Sequence, residues 1–286
     1  MIICVVGPTA VGKTKLSVML AKKYNGIIIN ADACQIYQEL NIGTAKIKEE
    51  EKEGVEHLLF DIKKPDEDYS VADYQKDLRN LLKQYQNRNI ILVGGTGLYL
   101  KAGLYDFEFS EMEVKDYTNY STEELYQMCL EINSDLVIDK FNRRRLENFL
   151  NRVKKEVREP NLLYQNVLFV GLTTTRELLY ERINKRVEEM FLEGLVEEVK
   201  ELIKKYGETK ILTRAIGYKE VISYLNNTIN LEEAKELIKK NSRHYAKRQY
   251  TYFNHQLPIT WFNTDFANFA NTYNEVIKYI DSSSEF

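Results

Sequence analysis

The chain has 286 residues with 44% hydrophobic and 29% charged side chains, a balance typical of a soluble globular protein of one large or two modest domains. No apolar stretch approaches the about 18 residues of a transmembrane helix, and the N-terminus lacks the basic region and cleavage site of a secretory signal. Three scattered cysteines argue against a disulfide framework or a structural zinc site. We therefore expect a cytoplasmic protein with no membrane partner.

In chain order, the first part of the sequence alternates between two patterns. Short, continuous apolar runs indicate buried parallel strands, and the segments between them have helical spacing. The predicted strands comprise residues 2–6, 27–30, 58–62, 90–93 and 167–172. Helices are predicted over residues 13–24 and 70–86, the second capped by Ser70 with Asp73 three residues on. The pattern predicts an α/β fold with a parallel sheet flanked by helices.

Strand signals stop after about residue 109 and return at Val167. Between these points the sequence predicts helices over residues 122–131 and 139–157. We interpret the block of residues 111–165 as a helical subdomain inserted into a core formed by residues 1–110 and 166–286. The other predicted elements of this core are helices over residues 176–206, 214–224, 231–253 and 268–280, a strand over 258–263, and a fraying tail at 282–286.

The net charge of −3 argues mildly against a nucleic-acid partner, but the charges are segregated. Residues 106–135 are strongly acidic. Residues 140–158 carry eight cations against two acids, and residues 239–248 carry five cations and no acid. Each basic run is either a solvated helix face or a local binding site for a polyanion, and charge alone leaves both interpretations open.

The strongest motif is GPTAVGKT at residues 7–14, a complete G-x-x-x-x-G-K-T between a predicted strand and a predicted helix. Its glycines let the backbone turn N–H groups toward an anion, and the helix N-terminus adds partial positive charge. Lys13 is suited to bridge phosphate oxygens, and the Thr14 hydroxyl is suited to hold Mg²⁺. The motif predicts a P-loop NTPase-like core, a fold typical of nucleotide-binding and ATP-binding proteins.

The acid that usually completes the Mg²⁺ site of a P-loop NTPase is missing, because the predicted strand at 90–93 ends in GGTG at residues 94–97. That segment either faces an anion or simply forms a turn. Asp32 is the first acid at a strand end, where doubly wound sheets bind ligands. It is interpreted equally well as a general base or as a helix N-cap. Arg214 is suited to bidentate phosphate contact, although an ordinary surface role is the safer interpretation from its neighbours alone.

Taken together, these motifs resemble those of the tRNA dimethylallyltransferases, also called tRNA isopentenyltransferases. A P-loop alone would not separate this family from kinases, whereas the whole set does. The stretches that carry the resemblance follow the family's order: GPTAVGKT at 7–14, NADACQIYQELNIGTAK at 30–46, EHLLFDI at 56–62, YSVADY at 69–74, LVGGTGLYLKAGL at 92–104, LYERINKRVEEM at 179–190, GLVEEV at 194–199, RAIGYKE at 214–220 and RHYAKRQYTYF at 243–253.

The resemblance implies a reaction between dimethylallyl diphosphate, held in the P-loop, and the exocyclic amine of an adenosine beside the tRNA anticodon. The amine attacks the allylic carbon and diphosphate leaves, so no phosphoryl group is transferred and the NTPase acid is not needed. The implied catalytic residues are Asp32 as general base, with Arg214, Lys13 and Mg²⁺-bound Thr14 stabilising the leaving group. The implied diphosphate-binding residues are Gly7, Thr9, Ala10, Val11, Gly12, Lys13 and Thr14.

The resemblance also implies that the insertion grips the anticodon stem-loop of tRNA while the target base is extruded into a central channel. The implied tRNA contacts are Asp32, Ala33, Cys34, Gln35, Thr96, Arg144, Arg145, Arg243, Lys247 and Arg248. Ala33 replaces the family's usual serine, and residues 148–151 depart from the family pattern in an insertion that is shorter than usual. We expect a monomer.

Two other interpretations of the sequence remain open. A P-loop nucleoside or small-molecule kinase shares the sheet and the P-loop, but it requires ATP turnover and has no need of two basic helices. A non-catalytic RNA-binding protein explains the basic runs, but it leaves the P-loop and Asp32 without a role.

Overall fold

Parallel strands at the centre and helices on both faces build the core of the chain. The computed structural model describes residues 1–109, 115–151 and 160–283. Its strands are β1 (Ile2–Val6), β2 (Ile27–Asn30), β3 (His57–Leu58), β4 (Ile90–Val93), β5 (Val167–Thr173) and β6 (Thr260–Asn263). All of them pair in parallel in the order β3-β2-β4-β1-β5-β6, which confirms the predicted fold class.

The helices cover both faces of this sheet, as the continuous apolar strands require. Over the described residues they are α1 (Lys13–Lys23), α2 (Val71–Gln84), α3 (Gly97–Leu104), α4 (Thr122–Ile132), α5 (Arg143–Leu150), α6 (Arg176–Leu192), α7 (Leu195–Tyr206), α8 (Tyr218–Leu225), α9 (Leu231–Gln256) and α10 (Phe269–Ser283). None of these helices combines the length and apolarity that crossing a membrane requires.

The side chains of the central strand β1 alternate between two hydrophobic cores. Cys4 and Val6 pack into the core formed with α2, α3 and α7–α9, whereas Ile3 and Val5 pack into the core formed with α1, α6 and α10. Because β1 lies between β4 and β5, Ile3 is paired with both Ile91 and Leu168. This arrangement buries every residue of β1.

Three neighbouring strands end at one edge of the sheet. β2, β4 and β1 are adjacent and parallel, so residues 31–35, residues 94–97 and the P-loop all emerge there. Ligands of open α/β sheets bind outside the carboxyl ends of the strands. The fold therefore brings together the three loops that carry most of the motifs.

Several predicted boundaries were wrong for reasons of backbone geometry. The strand predicted over 58–62 stops at Leu58, because Leu59 and Asp61 have φ of 60° and 55° and leave the extended conformation. The helix predicted over 176–206 is broken at Gly194, whose φ is 99°. The helix predicted from residue 214 begins at Tyr218, so Arg214 lies in a loop.

Other predicted elements are confirmed with small changes at their ends. Ser70 and Asp73 form the predicted capping box at the start of α2. α9 runs to Gln256, a few residues beyond its predicted end. The helix predicted from residue 139 begins only at Arg143, as α5, after its cap Asn142, and residues 152–159 lie outside the described residues. The tail beyond residue 283 also lies outside them, and residues 282–283 belong to α10.

Contacts divide the chain into two units. The first combines Met1–Tyr105 with Leu162–Phe286 and contains the sheet. The second, Asp106–Asn161, contains α4 and α5, which pack around a small core of Leu125, Cys129 and Leu146. The insertion predicted as residues 111–165 thus corresponds to a unit whose boundaries fall a few residues earlier.

Candidate active site

The P-loop lies where the motif predicts it, between β1 and α1. Gly7 and Gly12 have φ of 136° and 95°, which a side chain would disfavour. A Cβ at Gly7 would also overlap the carbonyl oxygen of Leu172 on β5. The loop is therefore pressed against the sheet, and α1 starts directly from it with Lys13 and Thr14 in the first turn.

A cavity of about 450 Å³ opens beside the P-loop in the first unit. Its volume is in the range of small-molecule and cofactor sites. It brings together eight of the sequence-predicted residues, namely Thr9, Lys13, Thr14, Asp32, Cys34, Gln35, Arg214 and Arg248. The remaining predicted P-loop residues do not line it, and Ala10 and Gly12 line a second recess that shares Lys13 and Thr14 with this cavity.

Lys13 is half-buried in the cavity wall, and its Nζ donates a 2.6 Å hydrogen bond to the carbonyl oxygen of Pro8. Burial lowers the pKa of its ammonium group to about 8; the carboxylate of Asp32 opposes this shift and the guanidinium of Arg186 adds to it. The ammonium group therefore lies between one acid and a second cation. An anion placed here would favour its charged form.

Asp32 lies two residues beyond the end of β2 and is followed by turns and not by a helix, so its interpretation as a helix N-cap is wrong. Its Oδ1 accepts the backbone N–H of Cys34 at 2.9 Å. The buried side chain of Asn30 holds the segment in place: Oδ1 accepts from the Asp32 N–H at 2.8 Å, and Nδ2 donates to the Asp32 carbonyl oxygen at 3.0 Å. Asp32 thus presents its carboxylate to the cavity from a rigid backbone.

The glycine-rich segment after β4 packs directly on the turn of Asp32. A Cβ at Gly94 would overlap the backbone of Ala31, and the Thr96 N–H donates to the carbonyl oxygen of Ala31 at 3.0 Å. Thr96 Oγ1 accepts the N–H of Ala33 at 3.0 Å. Neither Ala33 nor Thr96 is among the residues that line the cavity, and Thr96 holds the Asp32 segment through its bonds to Ala31 and Ala33.

Two arginines of α6 reach the P-loop and were missed in the sequence analysis. Arg186 Nη1 donates to Thr9 Oγ1 at 3.0 Å, and Arg182 Nε donates to the carbonyl oxygen of Ala10 at 2.9 Å. Burial lowers the pKa of Arg186, which lines the cavity. The signal was present in LYERINKRVEEM, since arginines four residues apart lie on one face of a helix.

The Gln35 side chain lies in the cavity wall, but its amide nitrogen already donates a hydrogen bond within the protein. Nε2 donates to the carbonyl oxygen of Thr44 at 3.1 Å, which fixes the loop at residues 41–45. The carboxylate of Glu198 supports the same loop by accepting the N–H groups of residues 41–43 at 2.8–3.2 Å. A contact between Gln35 and a base edge stays a prediction.

Helix α9 carries three basic residues that were predicted to contact tRNA, and their side chains have different surroundings. Arg248 lines the cavity, and its guanidinium lies over the Tyr245 ring at 5.6 Å. Lys247 is exposed. Arg243 donates to Asn184 Oδ1 at 2.6 Å and so packs against α6 outside the cavity.

The predicted arginines of the second unit lie on α5. The side chains of Arg144 and Arg145 are exposed, and neither guanidinium makes a hydrogen bond or ion pair within the described parts of the chain. Their neighbour Arg143 is held internally, since it donates to the carbonyl oxygens of Tyr117 and Tyr120 at 2.6 and 2.7 Å. Helix α5 therefore presents the side chains of Arg144 and Arg145 to solvent.

The sequence of this chain is similar to those of known proteins along most of its length. A family model described as IPP transferase matches residues 35–256. The chain is 42% identical to a tRNA dimethylallyltransferase of Anoxybacillus flavithermus, covering 100% of this chain and 97% of that protein. It is 46% identical to a tRNA dimethylallyltransferase of Fusobacterium nucleatum, covering 92% and 91%.

A solved structure extends the similarity to the fold. The crystal structure of a full-length tRNA isopentenylpyrophosphate transferase from Bacillus halodurans superposes with a TM-score of 0.76 at 38% identity, covering 99% of this chain and 98% of that one. The family model starts after the P-loop, whereas the match to the relative from Anoxybacillus flavithermus spans the whole chain, P-loop included. From the match over most of its length, together with the three loops gathered at one edge of its sheet, we conclude that the chain belongs to the IPP transferase family.

Proposed function

We propose that this protein is a tRNA dimethylallyltransferase, which transfers the dimethylallyl group of dimethylallyl diphosphate to the exocyclic amine of an adenosine beside the tRNA anticodon. One observation carries the proposal: the P-loop and the Asp32 carboxylate face the same cavity, while β4 ends in glycines and supplies no second acid. This arrangement suits a diphosphate leaving group and a proton acceptor. The names of the full-length relatives point to the same reaction and not to a kinase.

In the proposed reaction, a C–N bond forms between the adenosine amine and the allylic carbon, and the C–O bond to diphosphate breaks. Asp32 accepts the proton that the amine loses. Lys13, Arg186, Arg214 and the P-loop N–H groups stabilise the negative charge that accumulates on the departing diphosphate. The target base must leave its stack to reach the cavity, as for other enzymes that modify a base.

Mg²⁺ is proposed as the cofactor. The described residues contain no cluster of three His, Cys, Asp or Glu side chains that would form a protein-only metal site. Mg²⁺ commonly binds through few protein oxygens together with substrate phosphates. The Thr14 hydroxyl fits such a site, because it faces the cavity beside Lys13. When bound, the ion would neutralise diphosphate charge.

The tRNA is proposed to bind through its anticodon stem-loop. Arg144 and Arg145 of the second unit, and Arg248 and Lys247 of α9, are the exposed or cavity-facing cations that support this part of the proposal. Arg243 is tied to Asn184 and would need to release that bond or contact RNA with its remaining N–H groups. A monomeric, cytoplasmic enzyme completes the proposal.

One assay tests the proposed function. The protein is incubated with Mg²⁺ and labelled dimethylallyl diphosphate, either with tRNA that lacks the modification or with the same tRNA fully modified as the matched control. We expect label on the unmodified tRNA only. Incubation with ATP and a panel of nucleosides should give no phosphorylated product, and ATP turnover without transfer to tRNA would instead support the kinase.

The buried ammonium group of Lys13 predicts a pH dependence of diphosphate binding. Burial lowers its pKa to about 8, so the charged form that attracts diphosphate prevails below this value and is lost above it. The affinity for inorganic diphosphate, measured by calorimetry, should therefore fall as pH rises through about 8. Because the ligand also titrates, the diphosphate affinity of Lys13→Met is measured in parallel. The ratio of the wild-type affinity to the affinity of this variant should fall as pH rises through about 8. An affinity ratio that does not change with pH would contradict the assignment of Lys13 as a diphosphate ligand.

The exposed cations predict how tRNA affinity depends on salt. Each contact to a single-stranded phosphate contributes roughly 0.7 to the slope of log affinity against log salt concentration. We expect Arg145→Ala and Lys247→Ala each to weaken binding of the anticodon stem-loop and to make this slope shallower by about that amount. Diphosphate affinity should not change. Lys204→Ala on α7 is the control for the loss of one positive charge, because Lys204 is also an exposed lysine. An equal loss of tRNA affinity in Lys204→Ala would contradict a direct phosphate contact of Arg145 and Lys247.

A further inference from the structure

Gln249 of α9 connects two of the loops that form the cavity. Its side chain is buried, with 5% exposure. Oε1 accepts the backbone N–H of Thr9 in the P-loop at 3.3 Å, and Nε2 donates to the carbonyl oxygen of Gly95 at 3.0 Å. A Cβ at Gly95 would overlap Nε2, so this amide fills the space between the loops.

Each end of this bridge lies one contact away from a group of the proposed reaction. On the P-loop side, Thr9 Oγ1 accepts from Arg186 Nη1, which lines the cavity. On the other side, the Cβ position of Gly95 is 3.6 Å from Asp32 Oδ2. Gln249 therefore stands between the anion-binding end of the cavity and the carboxylate end.

We propose that Gln249 is a positioning residue, whose amide sets the separation between the P-loop and the Asp32 segment so that the two substrates meet in reactive geometry. This inference rests on the proposed function. The bridge requires an acceptor and a donor on one side chain, which an amide supplies. An ionised carboxylate supplies only acceptors, and a thioether supplies no N–H or O–H donor.

The reaction is expected to be sensitive to this separation, because a displacement of about 1 Å can cost roughly 100-fold in rate. Gln249 itself does not need to contact either substrate for this effect. Its loss should lower kcat, since the alignment of bound substrates changes. The affinity for diphosphate should change little, because Lys13 and the P-loop N–H groups stay on their own loop and helix.

The test compares Gln249→Met and Gln249→Glu with wild type in steady-state transfer, with the concentrations of dimethylallyl diphosphate and tRNA varied in turn, and in direct binding of diphosphate. We expect kcat to fall by roughly 100-fold in Gln249→Met, with KM for both substrates and diphosphate affinity within a few-fold of wild type. His255→Gln, an exposed residue of the same helix, is the matched control and should retain wild-type rates. Retention of near-wild-type kcat in Gln249→Met would overturn the inference.

The pH dependence of the transfer rate distinguishes a hydrogen-bonding role of Gln249 from a role in packing alone. In Gln249→Glu, a protonated carboxyl group can donate to the Gly95 carbonyl oxygen and restore the bridge, and burial favours that neutral form. The rate of Gln249→Glu relative to wild type should therefore rise as pH falls, while that of Gln249→Met should not. Equal pH profiles for the two variants would contradict the bridge.

Failure of this inference is distinct from failure of the proposed function. If wild type transfers dimethylallyl to tRNA and Gln249→Met does so equally well, only the positioning role is lost. If wild type transfers nothing, the proposed function itself fails. Should Gln249→Glu not fold, Gln249→Met still decides the matter, because it has a similar volume and introduces no buried charge.

Discussion

Replacement of Asp32 by alanine is expected to lower the rate of dimethylallyl transfer by about 10²–10⁴-fold, the usual contribution of a general base. Asp32 lies in the cavity wall just after β2, and the Asn30 side chain fixes its backbone on both sides. No acid at the end of β4 can take its place, because residues 94 and 95 are glycines. The measurement is a single-turnover rate at saturating concentrations of both substrates.

Asp32→Asn is the matched variant, because its amide oxygen can still accept the Cys34 N–H while it cannot act as a base. It should lose as much activity as Asp32→Ala. Diphosphate affinity is best measured at neutral pH or below, since removal of the Asp32 charge removes an effect that raises the pKa of Lys13. Near-wild-type single-turnover rates in either variant would exclude Asp32 as the base.

Removal of Lys13 or Arg214 is expected to slow transfer by roughly 10²–10³-fold each, the typical loss when a donor to developing charge is removed. Lys13 is half-buried at the end of the P-loop, whereas Arg214 lies at the cavity wall in the loop before α8 and is exposed. Both cations are proposed to act on the same departing diphosphate. The double variant Lys13→Ala/Arg214→Ala should therefore lose less than the product of the single losses.

This cycle requires kcat and KM for all four proteins with dimethylallyl diphosphate as the varied substrate. Arg88→Ala is the control, because Arg88 is exposed, pairs with Glu56 at 3.5 Å, and is not among the residues that line the cavity. Arg88→Ala combined with Lys13→Ala should be additive. Full additivity for the Lys13 and Arg214 pair would place Arg214 away from the diphosphate.

The sequence determined those features that depend on residues close together in the chain. GPTAVGKT predicted the turn between β1 and α1, because its glycines and the following helix form one local unit. The continuous apolar runs predicted a buried parallel sheet, because strands covered on both faces have no polar side. The resemblance, carried by stretches from 7 to 253, predicted the family, which the comparisons confirm.

Local sequence left the role of Asp32 open, since an acid after a strand can cap a helix or face a ligand. The structure excludes the helix cap, because turns follow Asp32 and this residue lines the cavity. The missed residues Arg186 and Gln249 lie more than 170 residues from the P-loop atoms that they bind. No local pattern records such pairs. Packing of α6 and α9 against the edge of the sheet creates them.

Tertiary structure also decided which predicted cations face the cavity. Arg243 and Arg248 belong to the same basic run, yet Arg243 binds Asn184 while Arg248 lines the cavity. Five residues along a helix amount to well over one turn, so the two side chains point in different directions. The sequence by itself therefore determined the fold class, the P-loop and the family. The assembly of the cavity required the packed helices, because its distances join residues that are far apart in the chain.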